Sequence, residues 1–189
     1  MVSDAHFQGQ FEVELKYRVK NHDAFLNMVK QIEHEVMFEN NQESDWFYDT
    51  PQRTLTQQGK SLVLREIQPA GIKLWIVKGP EADRCEATNI TKLDSAQSML
   101  ENMGYEVIQC SKKIRSIFFV GEFHITLDFL DGFGHFAEFA IMTDDETALA
   151  RYRERLVALA QQFHLSEADR EHRSYKEILS ALEHHHHHH

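Results

Sequence analysis

The stretch FEVELKYRV, Phe11–Val19, alternates without a break between apolar and charged residues. Side chains of a β-strand point to opposite faces with period two, so Phe11, Val13, Leu15, Tyr17 and Val19 share one face while Glu12, Glu14, Lys16 and Arg18 share the other. The first is a core face. The second is either a solvated outer surface or the wall of a polar cavity, and the remaining strands have to decide between them.

Period-two segments recur along the chain, which predicts a large sheet. NHDAFLNMVKQIEHE spaces Phe25, Met28, Val29 and Ile32 along one side of a helix, with Asn21 or Asp23 placed to cap it. A strand or turn follows around SDWFYDTP. KSLVLREIQ, GIKLWIVKGP and DRCEATNI then read as three strands of a meander, joined by turns at PAG and GPEA. A second helix covers about 95–103 and stops at Gly104, a natural left-handed C-terminal cap. KKIRSIFFVG, EFHITLDFL and HFAEFAIMT are further strands, separated by hairpin turns at Gly121-Glu122 and DGFG. Two helices finish the chain, each opened by a capping box: Thr143 with Glu146, and Ser166 with Asp169. About eight strands and four or five helices predict an α+β domain on an antiparallel sheet. At that strand number a sheet can close into a barrel whose interior holds side chains or one small ligand.

Of the 189 residues, the terminal LEHHHHHH, Leu182–His189, reads as an expression tag, leaving a single domain over residues 1–181. The formal charge is −10, and −9 once Glu183 of the tag is set aside. So acidic a chain is a poor fit to nucleic acid, where affinity comes from cations neutralising phosphates. Cys85 and Cys110 form neither a disulfide framework nor a zinc pattern, which suits a reduced, cytoplasmic protein. MVSDAHFQGQ lacks the apolar segment of a signal peptide, and no run approaches the roughly 18 apolar residues of a membrane span, so no membrane partner is expected. A homodimer is left open.

The period-two rule places charges together on other strands as well. Arg65 lies on one face of SLVLREIQ, Lys78 ends the face carrying Leu74 and Ile76, Arg84 shares a face with Glu86, and Lys113 with Arg115. His124, Thr126 and Asp128 stand opposite the apolar side of FHITLDF, and Glu138 lies beside Ala140. If every strand runs without a bulge and these faces converge, they enclose seven cations (Lys16, Arg18, Arg65, Lys78, Arg84, Lys113, Arg115) and five acids (Glu12, Glu14, Glu86, Asp128, Glu138). The outer face of an acidic protein should carry more acids than bases, so the excess of cations favours a cavity. Arg and Lys clamp phosphate oxygens. Clustered carboxylates hold hard cations such as Mg²⁺ or Mn²⁺. Glu12 and Glu14 lie about 6.6 Å apart along the strand, close enough to converge on one ion and to repel without it. A metal-bound polyphosphate suits both groups.

Glu12-Val13-Glu14-Leu15-Lys16 matches the ExExK signature of the CYTH superfamily, the triphosphate tunnel metalloenzymes. DWFYDT, LVLRE, IVKGP, KKIRS and ITLDFLDGFGHFAEF follow in order over nearly the whole untagged chain. Within that superfamily LWIVKGP, RCEATNI, RSIFFVGEFHITLD and FAEFAIMTDD resemble the bacterial class IV adenylyl cyclases. The resemblance implies a closed antiparallel eight-stranded β-barrel, flanked by helices, that binds a triphosphate inside. It implies Glu12, Glu14 and Glu138 as ligands of Mg²⁺ or Mn²⁺, with Asp128 as a further one, and Lys16, Arg65, Lys78, Lys113 and Arg115 as triphosphate-binding residues. Lys16, Arg115 and Asp128 form the implied catalytic group. The implied reaction converts ATP to 3′,5′-cyclic AMP and pyrophosphate. The alternative is an inorganic or organic triphosphatase, for example of thiamine triphosphate, in which water attacks the γ-phosphorus in the same cradle. A non-catalytic polyphosphate sensor is a third reading, which the full set of acids disfavours. His124 reads as a hydrogen-bonded barrel histidine and Trp46, Phe47, Tyr48 and Trp75 as core packing. Arg173, Ser174 and Tyr175 read as a solvated helix start or a cover over the tunnel mouth.

Overall fold

The charged face of β1 (Phe11–Val19) turns inward and its apolar face turns outward, under helices. In the computed structural model, which describes residues 3–187, β1 is the edge of one eight-stranded antiparallel sheet. His188 and His189 of the segment read as a tag lie outside the described residues. The other strands are β2 (Glu35–Asp49), β3 (Ser61–Gln68), β4 (Ile72–Lys78), β5 (Cys85–Asn89), β6 (Glu106–Val120), β7 (Phe123–Leu130) and β8 (Gly134–Thr143). Their order across the sheet is β1-β8-β7-β6-β2-β3-β4-β5. The sheet curls until its two edges meet. Cys85 N donates to the Gln10 carbonyl and Glu12 N to the Asp83 carbonyl, each at 2.8 Å, and Phe11 bridges Arg84. The barrel is thus joined at one corner of a seam between β1 and β5.

Helices α1 (Ser3–His6), α2 (His22–Gln31), α3 (Thr54–Gln57), α4 (Leu93–Asn102), α5 (Leu149–Gln161) and α6 (Tyr175–His187) surround the sheet. The main core lies outside the wall, where Val13, Leu15 and Tyr17 of β1 and Ile125 and Phe139 of β7 and β8 meet Phe25 and Val29 of α2 and Leu156 of α5. Leu15 is fully buried there, so Leu15→Ala costs about 2–5 kcal/mol. A second cluster places Leu93, Ala96 and Leu100 of α4 over Tyr48, Leu62 and Leu64, with Trp46 and Trp75 alongside. Tyr175 and Ile178 pack α6 against Leu130 and Phe136 at one end of the barrel. No helix among the described residues is long and apolar enough to cross a membrane.

Local chemistry sets most element ends. The Asn21 side chain accepts from Ala24 N at 3.0 Å and caps α2. Gly104, at φ +94, follows α4. Gly79, at φ +80, lies so close to the Gly59 carbonyl that no Cβ fits, and this contact fixes the chain just after Lys78. The expected Thr143–Glu146 box is replaced. Asp145 caps a 3₁₀ turn over Glu146–Ala148, and Thr143 Oγ1 accepts from Asp145 N. The Ser166–Asp169 box forms, but it closes a 3₁₀ turn at Glu167–Asp169 and the last helix starts only at Tyr175.

Two strands depart from the sequence reading. β2 is a strand of 15 residues where only SDWFYDTP gave a signal. Register shifts between Val36 and Phe38 and between Phe38 and Asn41, with Asn40 at φ 54, break its alternation. On β5 the inward residues are Cys85 and Ala87, packed with Phe47, Val63 and Ile76, so Glu86 points to solvent. Arg84 sits on the seam over the Phe11 ring, and Arg18 leaves the barrel to pair with Glu171 at 2.8 Å. The interior assignment of Arg18, Arg84 and Glu86 is corrected accordingly.

Candidate active site

The curled sheet bounds a cavity of about 1340 Å³. β1 lines it with Glu12, Glu14 and Lys16, β3 with Arg65, β4 with Lys78, β6 with Lys113 and Arg115, β7 with His124 and Thr126, and β8 with Glu138. β2 adds Glu43 and Asp45, which sequence reasoning missed. Their only signal was the spacing Glu43, Asp45, Phe47, Asp49, hidden in a run too polar to read as a strand. Counting Asp128, the strands supply five cations (Lys16, Arg65, Lys78, Lys113, Arg115) and six acids (Glu12, Glu14, Glu43, Asp45, Asp128, Glu138), and the connections and helices that also line the cavity add Lys60, Arg153, Arg170, Arg173 and Lys176 against Asp83, Glu171 and Glu177. The excess of cations expected of the strand faces is absent, because Glu43 and Asp45 join them while Arg18 and Arg84 do not.

Strand register puts opposite charges side by side. Lys16 faces Glu138, Asp45 faces Arg65, Glu43 faces Lys113, and Arg115 faces Asp128. Arg65 holds Asp45 at two points, Nε to Oδ1 at 2.7 Å and Nη2 to Oδ2 at 3.0 Å. Lys113 Nζ lies 2.8 Å from Glu43 Oε2 and 3.3 Å from Asp45 Oδ2. Burial alone raises the Asp45 pKa, but Arg65 and Lys113 outweigh it and hold the carboxyl well below the usual range.

Arg115 is the hub. Its Nε and Nη2 donate to Asp128 at 2.7 and 2.8 Å, its Nη1 to Glu43 at 3.1 Å and its Nη2 to Glu138 at 2.8 Å. Asp128 is wholly buried and also accepts from the Tyr175 hydroxyl at 2.6 Å, so both its oxygens are committed. Lys16 Nζ donates to the Arg173 carbonyl at 3.0 Å.

Glu12, Glu14 and Glu138 form a chain of carboxylates in which Glu14 is within hydrogen-bond reach of both others. Burial, and then the charge of Glu14, raises the Glu138 pKa. Burial opposes ionisation of Glu12 too, yet His124, Lys78 and Glu14 hold its carboxyl at about 2. His124 Nε2 lies 3.7 Å from Glu12 Oε2, too far for a hydrogen bond, and Nδ1 has no partner among the described residues. Lys78 keeps solvent access at the seam. Desolvation disfavours its charge, but Glu14, Cys85 and Glu12 outweigh this and raise its pKa above the ordinary lysine value. Among the described residues no three acids are drawn in to coordination spacing. An all-oxygen donor set that crowds its own charges fits a hard divalent cation.

A curled eight-stranded sheet with cations beside carboxylates on neighbouring strands of its inner wall defines the class. The chain belongs to the CYTH family, whose domain matches residues 10–175. Enzymes of this family are metal-dependent. The chain is a close homologue of the adenylate cyclase CyaB of Aeromonas hydrophila, 55% identical over 177 residues that cover 94% of this chain and 93% of that protein. Among solved structures, PH1819 of Pyrococcus horikoshii superposes with a TM-score of 0.77 at 24% identity, covering 90% of this chain and 99% of its own. HpAC1 from Hippeastrum, described as a putative adenylyl cyclase with a dominant triphosphatase activity, superposes with a TM-score of 0.58 at 14% identity, covering 90% and 95%. At these identities the two structures share the fold alone.

Proposed function

We propose that this protein converts ATP to 3′,5′-cyclic AMP and pyrophosphate inside the tunnel, with Mg²⁺ or Mn²⁺ as cofactor. The observation that carries the reading is the 55% identity to adenylate cyclase CyaB over 94% of the chain. The tunnel chemistry supports it. On the strands five cations already stand among six acids, so a triphosphate held there needs added positive charge, and Glu12, Glu14 and Glu138 would hold it as a divalent cation. That cation, when bound, offsets phosphate charge and lowers the pKa of a nearby hydroxyl.

Lys16, Arg65, Lys78, Lys113 and Arg115 bind the phosphate oxygens and orient the chain of phosphates along the bore. The ribose 3′-oxygen forms a bond to the α-phosphorus as the bond from that phosphorus to the bridging oxygen breaks. The 3′-hydroxyl gives its proton to water in the tunnel, and pyrophosphate departs with the electron pair of the broken bond. Arg115 and Lys16 stabilise the charge that gathers on the departing pyrophosphate. Asp128 is assigned to aiming Arg115 and not to the metal, because Arg115 and Tyr175 already occupy both its oxygens.

Incubation with ATP and Mn²⁺ followed by chromatography tests the reading. Cyclic AMP and pyrophosphate in equal amounts are expected. ADP with orthophosphate replaces the cyclase by the triphosphatase alternative.

A further inference from the structure

Two tunnel lysines and the carboxylate that holds Arg115 meet at a single side chain on the last helix. Tyr175 opens α6 and is 8% exposed. Its hydroxyl donates to Asp128 Oδ2 at 2.6 Å, and the same carboxylate receives two hydrogen bonds from Arg115. Its ring lies 4.0 Å from Lys16 Nζ and 4.9 Å from Lys113 Nζ, both within cation–π range. The preceding strap adds a second hold on β1, since Glu171 N donates to the Lys16 carbonyl at 2.9 Å and the Arg173 carbonyl accepts from Lys16 Nζ.

We propose that Tyr175 is a positioning residue of the triphosphate cradle: its hydroxyl fixes the Asp128–Arg115 pair and its ring holds the Lys16 and Lys113 ammonium groups in the bore. The proposal rests on the reading that these cations bind a triphosphate. A helix anchor needs only apolar surface, which Ile178, Leu130 and Phe136 already provide. It does not need a hydroxyl buried against a carboxylate. That hydroxyl locks the plane of Asp128, and a two-point arginine pair is sensitive to that plane. Burial and the adjacent Asp128 charge push the hydroxyl pKa well above the usual tyrosine value, so it stays a donor. The ring matters separately. Two ammonium groups close to one ring repel each other, and the negative ring face offsets part of that repulsion. Without it, flexible lysine stems carry their charges toward water.

The test measures binding of inorganic triphosphate with Mg²⁺ by calorimetry, alongside thermal stability, for the wild type and three variants. Tyr175→Phe keeps the ring and removes only the hydroxyl, and it is expected to weaken triphosphate about tenfold, the loss of one hydrogen bond to a charged group. Tyr175→Leu removes the ring as well and weakens binding about fivefold further. Ile178→Ala loosens the same helix from its apolar seat, and it is expected to lower the melting temperature while leaving triphosphate affinity unchanged. The Phe variant decides the matter even if the Leu variant fails to fold. Wild-type affinity in Tyr175→Phe overturns the inference alone, as does an affinity loss in all three variants that merely follows their loss of stability. A wild type that does not bind triphosphate at millimolar concentration overturns the tunnel reading beneath it.

Discussion

Arg115 on β6 and Asp128 on β7 stand opposite each other in the ladder and close a two-point ion pair, Nε to Oδ1 at 2.7 Å and Nη2 to Oδ2 at 2.8 Å. A fully buried carboxylate paired in this way aims a guanidinium, and each of its oxygens already accepts a hydrogen bond. Asp128→Asn should therefore lower turnover about tenfold or more through a misaligned Arg115, while the Mn²⁺ concentration for half-maximal activity stays at the wild-type value. A raised Mn²⁺ requirement in this variant returns Asp128 to the metal.

Lys113 has two jobs that a double substitution separates. It neutralises Glu43, which is wholly buried 2.8 Å away, and it faces the bore. Lys113→Ala removes one of three cations around buried Glu43, which keeps Arg115 at 3.1 Å and Arg65 at 3.4 Å, and should cost about 1–3 kcal/mol of stability. Adding Glu43→Gln should restore much of that stability in a denaturant titration without restoring inhibition of ATP turnover by inorganic triphosphate. Recovery of both together makes Lys113 a structural cation only.

The carboxylate chain makes an unusual stability forecast. Glu14 lies within reach of Glu12 and Glu138, and its charge helps to raise the Glu138 pKa. Glu14→Gln should abolish turnover, by more than about a hundredfold, yet melt at or above the wild-type temperature, because it relieves like-charge repulsion. Full activity of this variant at low Mg²⁺ contradicts its assignment to the metal.

Most of the barrel was legible because its strands alternate cleanly. On β1, β3, β4, β6, β7 and β8 the period-two rule put Glu12, Glu14, Lys16, Arg65, Lys78, Lys113, Arg115, Asp128 and Glu138 on the inner side, where the structure has them. The rule failed on β2 because two register shifts and a positive-φ Asn40 break the alternation, and because inward Glu43 and Asp45 look like loop residues when the strand is read alone. Five residues of β5 carry too little pattern to set the phase, so Glu86 was turned the wrong way. Tyr175 reads in the sequence only as part of a helix start or a cover over the tunnel mouth, and not as a partner of Asp128, Lys16 and Lys113. Its partners are set by where α6 docks, and no local periodicity encodes that.

The strap that precedes Tyr175 should be sensitive to acid. Arg173 donates to Glu171 and, against a smaller opposing effect of burial, holds its carboxyl at about 2, below the ordinary 4.5, with Arg18 adding to the effect. A depressed carboxylate stabilises the fold fully above the unfolded value of 4.5, and the contribution is lost as the pH falls toward 2. The melting-temperature gap between wild type and Glu171→Gln should be complete near neutral pH and shrink below about pH 4.5. A gap that stays constant down to about pH 3 contradicts the ionic origin of this contact.

Cyclisation uses the ribose 3′-hydroxyl as nucleophile and hydrolysis of the γ-phosphate uses water, so one substrate separates the two most directly. With ATP and Mn²⁺ the protein should form cyclic AMP and pyrophosphate, and with 3′-deoxy-ATP it should bind with near-wild-type affinity, compete with ATP and give no product. Steady release of orthophosphate from 3′-deoxy-ATP, at a rate like that from ATP, contradicts the cyclase and makes the tunnel a triphosphatase.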